Sequence, residues 1–141
     1  MTFEEFELKF VETVTKYGYV KDTWHYGWKP DKDYYVNRTE IPGKSDSFVS
    51  YYYNPKSKKK LYVDFNSVLY YIAPTGVDSF TSKDHCLAFK DCDQFKWDNF
   101  ERWLNCQSET ISTARRLSKE RKEQKKLKEL KRISNELQGI L

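Results

Sequence analysis

His85 and Cys86, followed by Cys92 and Cys106, are the residues of this chain best suited to hold a metal or attack an electrophile, because imidazole and thiolate serve both tasks. Their spacing favours neither. The cysteines are separated by six and fourteen positions, which matches no compact zinc knuckle, and no C-x-x-C pair is present. Adjacent His85 and Cys86 diverge if the chain is extended there. A metal-dependent nuclease wants clustered carboxylates with a lysine nearby, and Asp64, Asp91, Asp93 and Lys96 form only a generic set, with Asp93 better explained as a helix cap. No P-loop, dinucleotide fingerprint, nucleophile elbow or HExxH run occurs. The expectation is a protein without catalytic residues, metal site or cofactor, and a small nuclease is its weakest alternative.

The chemistry that the chain does advertise is anion binding. Arg115, Arg116, Lys119, Arg121, Lys122, Lys125, Lys126, Lys128, Lys131 and Arg132 fall within twenty residues. Glu120, Glu123, Glu129 and Glu136 oppose them, so Ile111 to Leu141 carries a net +6, and the preceding 110 residues carry −2 of the chain's total of +4. Segregated charge of this kind points to nucleic acid or a nucleoprotein surface. A second basic run, Lys56 to Lys60, contributes Lys58, Lys59 and Lys60 as candidate contacts. Aromatic clusters Trp24-His25-Tyr26-Gly27-Trp28-Lys29 and, beside the basic run, Tyr51-Tyr52-Tyr53 bring rings and cations together in sequence. Rings next to cations can stack bases, although strand aromatics more often build a core.

These residues need elements to position them. Thr2 with Glu5 reads as a capping box, and Phe3, Phe6, Phe10, Val14 and Tyr17 then share one helical face that Gly18 ends. From Tyr19 to Ala73 the texture is that of strands, with turn formers at Lys29-Pro30-Asp31 and Pro42-Gly43-Lys44. Phe48–Tyr53 and Leu61–Phe65 predict a hairpin with a basic tip, placing Leu61, Val63 and Phe65 on one side and Tyr62 and Asp64 on the other. A third strand is expected over Val68 to Ile72. A second helix starting near Asp93 brings Trp97, Phe100 and Leu104 against the sheet, with Trp103 beside them. Because Asn105 to Ser112 is poor in helix formers, a break or bend is expected before the basic segment.

The organisation predicted is an α+β body over 1–110, made of an N-terminal helix, a small antiparallel sheet and a covering helix, and a basic amphipathic helical extension over 111–141. On the extension, Arg121, Lys125, Lys128 and Arg132 form one stripe, roughly opposite Leu127, Leu130, Ile133, Leu137, Ile140 and Leu141. Arg115, Lys119, Lys122 and Lys126 form a second stripe that runs into the apolar side further along. The expected arrangement docks the apolar end on the body or on another copy and leaves the basic stretch open to phosphate. A merely solvated helix, a phosphate-binding helix and a protein-binding or dimerising helix all remain open, the last using Leu127, Leu130, Ile133 and Leu137.

The 24 aromatic residues among 141 argue that the body folds, because disordered chains carry few. No apolar run approaches a membrane span, and three cysteines do not make a secreted disulfide framework, so a cytoplasmic protein with reduced thiols and no membrane partner is expected. In its tyrosine runs (Tyr51-Tyr52-Tyr53), lysine-rich turns (Lys58-Lys59-Lys60) and charged terminal helix, the chain resembles small accessory proteins of phages and mobile elements of Gram-positive bacteria, anti-CRISPR proteins among them. That resemblance implies non-catalytic inhibition of an effector such as a CRISPR nuclease, in the host cytoplasm, and assigns no residue a role. The expected partner is nucleic acid or a ribonucleoprotein, with a homodimer as the alternative.

Overall fold

A computed structural model describes residues 1–27, 29–54, 56, 60–68 and 84–140. Helix α1 (Phe3–Lys16) starts at the capping box: Glu5 N donates to Thr2 Oγ1 at 3.1 Å, and Thr2 N donates to the Glu5 carboxylate at 3.3 Å. Such a cap stabilises a helix start by about 1 kcal/mol. Gly18, at φ +87°, turns the chain out of the helix in a conformation that costs a side-chain-bearing residue energy. Five strands follow, β1 (Val20–Tyr26), β2 (Lys29–Asn37), β3 (Ser47–Asn54), β4 (Lys60–Asn66) and β5 (Asp84–Phe89), in one antiparallel sheet ordered as in the chain. A single turn of 3-10 helix, Cys92–Gln94, leads into α2 (Trp97–Ile140).

Alternation along β3 and β4 sends Val49, Tyr51 and Tyr53, with Leu61, Val63 and Phe65, to one face of the sheet. Both helices lie on that face. Phe10 of α1 stacks on Phe100 of α2 with ring centroids 5.2 Å apart and meets Tyr51 at 4.8 Å, while Trp103 packs edge-on against Phe65 at 5.2 Å. Phe6, Phe10, Phe100, Trp103, Leu104, Val49, Leu61 and Val63 are wholly buried. Burying each such side chain contributes about 1.5–3 kcal/mol.

Several expectations are corrected. Lys29-Pro30-Asp31 does not turn the chain but lies in β2; the reversal occurs at Gly27, at φ +51°. The register slips between Trp24↔Lys32 and Tyr26↔Lys29, and this irregularity accommodates Pro30, which has no N–H to give to a ladder. Asp93 does not cap α2. Its carboxylate accepts from the Met1 ammonium at 2.7 Å, and Asp91 caps the short turn instead, its carboxylate accepting from Gln94 N at 3.1 Å. Of the expected third strand, Val68 lies outside any strand and the remainder, 69–72, lies outside the described residues; β4's second partner is β5, paired from Asn66↔Asp84 to Leu61↔Phe89.

The expected break over Asn105 to Ser112 is absent, and α2 runs unbroken for 44 residues, about 66 Å at 1.5 Å per residue. Tertiary contacts outweigh weak propensity there. Gln107 and Ile111 are buried, Gln107 Oε1 accepts from Val68 N at 2.8 Å, and Ser108 Oγ donates to the Tyr17 carbonyl at 2.5 Å. The covering helix and the basic helix are therefore one element that crosses the expected 110/111 boundary.

Candidate functional site

Helix α2 leaves the body gradually. Arg115 donates from Nε to the Thr39 carbonyl at 3.3 Å and from its guanidinium to the Arg38 carbonyl, fastening the helix to the loop after β2. Ile41 and Lys44 of that loop line a groove with Thr113, Ala114, Leu117 and Arg121. From Lys119 to Ile140 every residue is exposed, over about 33 Å of helix, and beyond the groove residue Arg121 this part of the helix buries no side chain. Of the expected docking of the apolar end on the body or on another copy, the first is not met, because the unbroken helix leaves Leu127, Leu130, Ile133 and Leu137 42–62% exposed.

The ten basic residues of the helix divide into three groups. Arg115 is committed to backbone carbonyls. Arg132 is held by Glu129 and Glu136, the second contact at 2.7 Å, and the Glu129 hydrogen bond raises its pKa further above the ordinary guanidinium value. Arg116, Lys119, Arg121, Lys122, Lys125, Lys126, Lys128 and Lys131 are exposed, and no described carboxylate forms an ion pair with them. These eight cations cover sixteen residues, about 24 Å of helix. Leu117, Glu120, Arg121, Gln124, Lys125 and Lys128 line a shallow hollow on one side of this stretch.

The hairpin tip lies elsewhere. Lys60 is exposed at the start of β4, Lys56 N donates to Asn54 Oδ1 at 2.9 Å, and Lys58 and Lys59 lie outside the described residues. The tip end of the hairpin is the end where Tyr53 stacks on Phe3 and Leu61 pairs with Phe89, beside the start of α2. The basic half of α2 departs from the other end, past Tyr17, Thr39 and Val68. Seven residue pairs of β3 and β4 separate the two ends, about 20 Å of strand. Lys60, the described residue at the hairpin end, thus does not share one continuous surface with the basic half of α2.

The aromatic runs also separate. Tyr51 and Tyr53 pack against the core, whereas Tyr52 is exposed on the opposite sheet face, as strand alternation requires. Trp24, Tyr34 and Phe48 make edge contacts on that open face, and Tyr52 lies 6.3 Å from Tyr62. Two of its cations have carboxylate partners: Arg38 pairs with Asp22 and Asp46, and Lys32 Nζ meets Asp64 Oδ2 at 3.2 Å. Trp28 lies outside the described residues. The open face is therefore aromatic, and these two cations, unlike the eight of the helix, have carboxylate partners.

Cys86 is exposed, Cys106 half-buried and Cys92 buried, and all three are free. The Asp64 carboxylate accepts a hydrogen bond from the Cys86 thiol, and that contact, with burial and the carboxylate charge behind it, pushes the thiol up to about 11. Burial raises Cys92 and Cys106 as well. Among the described residues no three His, Cys, Asp or Glu side chains gather as a metal site, and no helix is long and apolar enough to cross a membrane.

No family model matches the chain, and neither a curated protein nor a solved structure matches it.

Proposed function

We propose that the chain is a non-catalytic binding protein that engages nucleic acid or a nucleoprotein complex through the projecting half of α2. The observation that supports this reading is the set of eight cations without carboxylate partners on a helix that no described part of the body covers. A fold has no packing need for them, and duplex nucleic acid presents one negative charge per about 1.7 Å along its axis. The resemblance to phage accessory proteins gives the proposal a specific form: an inhibitor in the host cytoplasm that engages the nucleic acid of a CRISPR nuclease complex. The basic hairpin is a separate contact in this scheme.

The test is a chain carrying Arg121→Glu, Lys125→Glu and Lys128→Glu together. Binding to labelled duplex DNA, single-stranded DNA and single-stranded RNA is read by fluorescence anisotropy, and cleavage by a guide-loaded CRISPR nuclease is read on gels. Loss of binding, or of inhibition where it occurs, is expected; affinities and inhibition equal to those of the parent chain overturn the proposal. The exposed Leu127, Leu130, Ile133 and Leu137 favour a second reading, a docking or dimerisation helix. Light scattering on Leu130→Asp with Leu137→Asp checks it, since a mass unchanged from the parent chain counts against self-association.

A further inference from the structure

Strands β2 and β3 are neighbours in the sheet, yet their pairing is confined to Tyr35↔Val49, Val36↔Phe48 and Asn37↔Ser47. Both strands continue well beyond it. β2 stays paired with β1 back to Lys29, and β3 stays paired with β4 out to Asn54. Residues 29–34 of β2 and 50–54 of β3 are therefore held in extended form by their outer neighbours while their inner edges share no ladder. Backbone N–H and C=O groups along such edges are a template for another strand.

A cleft of about 1460 Å³ lies at this split. Its walls come from both faces of the sheet: Glu7 and Glu12 of α1 with Asp33 and Tyr51 on the helix side, Tyr52 and Tyr62 on the open side. The cleft thus passes through the sheet where β2 and β3 separate. Among the described residues the split is crossed by the ion pair of Lys32 with Asp64 and by no strand pairing. Its volume exceeds the roughly 300–1,000 Å³ typical of small-molecule sites.

The charges select the class of ligand. Lys21 pairs with Asp33 at 3.2 Å, and Lys32 with Asp64 at the same distance, so these four cancel. Glu7 and Glu12 are left, and neither forms an ion pair among the described residues, although Glu7 feels the charge of Lys21 from further off. Glu7 accepts the Tyr51 hydroxyl at 2.6 Å, a neutral contact that fixes the carboxylate without adding a counter-charge. The rim therefore carries a net −2, contributed by α1, against tyrosine rings at Tyr35, Tyr51, Tyr52 and Tyr62. A phosphate backbone is repelled by such a rim; lysine and arginine side chains are attracted.

We infer that the split between β2 and β3 is a strand-insertion site for an extended, basic polypeptide segment of a partner protein. Main-chain hydrogen bonds to β2 and β3 supply the binding, alternate side chains meet the tyrosines, and basic residues meet Glu7 and Glu12. Five inserted residues span the length over which β2 and β3 do not pair with each other, about 17 Å at 3.3 Å per residue. This site is distinct from the basic face of α2, which has the opposite charge.

The experiment uses the full chain, isotope-labelled for amide NMR, with three synthetic hexapeptides. The first is acetyl-Lys-Val-Lys-Tyr-Lys-Val-amide, the second has Glu in place of each Lys, and the third is the first with alternate backbone amides N-methylated. The lysine peptide is expected to shift the amides of residues 31–34 and 50–54, and the other two are expected to bind at least about tenfold more weakly, as loss of exposed ion pairs and of main-chain donors requires. Glu12→Lys, an exposed change that leaves the core untouched, is expected to weaken the lysine peptide without altering the spectrum of the free chain. The inference is overturned if the N-methylated peptide binds as well as its parent, if shifts fall outside the split, or if a single-stranded oligonucleotide or a second copy of the chain fills the split instead.

Discussion

Removing Arg121, Lys125 and Lys128 together, each as Ala, isolates the electrostatic role of α2, because Ala is the best helix former and leaves the rod intact. Eight cations have no ion-pair partner, and a helix lying along a duplex can turn about half of them toward phosphate. With about four phosphates neutralised, log K falls against log salt with a slope of about −3.6, at about −0.9 per contact. Between 50 and 200 mM salt the parent chain should then lose about 150-fold in affinity for duplex DNA. The three substitutions remove one contiguous stripe, reduce the slope to about −0.9, and leave a loss of only about 3.5-fold over the same range. Fluorescence anisotropy titrations at four salt concentrations provide both slopes. A slope that changes by less than one unit, or a parent chain insensitive to salt, would falsify the assignment of these residues as phosphate contacts.

Arg115→Ala should leave that slope unchanged while lowering stability in urea by about 1 kcal/mol, since its guanidinium is spent on the Thr39 and Arg38 carbonyls in a partly exposed setting. A chain ended after Ser118 should melt within about 2 °C of the full chain by circular dichroism, because residues 119–140 are all exposed, yet should lose nucleic-acid binding. A large drop in melting temperature would show that the segment packs on the body. The Cys86 thiol sits at about 11 instead of the ordinary 9.0, so at pH 8 little thiolate exists; Asp64→Asn removes the accepting carboxylate and its repulsion of the thiolate. Alkylation by iodoacetamide at Cys86, followed by peptide mapping, should accelerate about tenfold, the gain in thiolate outweighing its lower intrinsic nucleophilicity. An unchanged rate would remove Asp64 as the cause.

The features legible in the sequence are those set by neighbours along the chain. Thr2 and Glu5 cap α1 because an N-cap needs only residues three apart, and Phe6, Phe10 and Val14 face inward because a 3.6-residue period leaves them no other common side. Leu61, Val63 and Phe65 declare β4 by strict alternation, and the charge of α2 is a property of composition alone. Local patterns also misled. Lys29-Pro30-Asp31 carries turn residues, yet Gly27 adopts the positive φ that the reversal uses, and the following proline is absorbed by an irregular register.

By itself, then, the sequence determined an α+β chain with an aromatic core and a cationic C-terminal segment, since period, alternation and charge are local quantities. Tertiary structure decided the rest. The contacts of Gln107, Ser108 and Ile111 with the body carry α2 straight through a stretch of weak helix formers and so aim its basic half away from the body. The sheet's length sets Lys60 at the far end from that half. The early end of β2–β3 pairing brings Glu7 and Glu12 from one helix beside Asp33 and Tyr51 from two strands, a meeting of distant segments that no local pattern encodes.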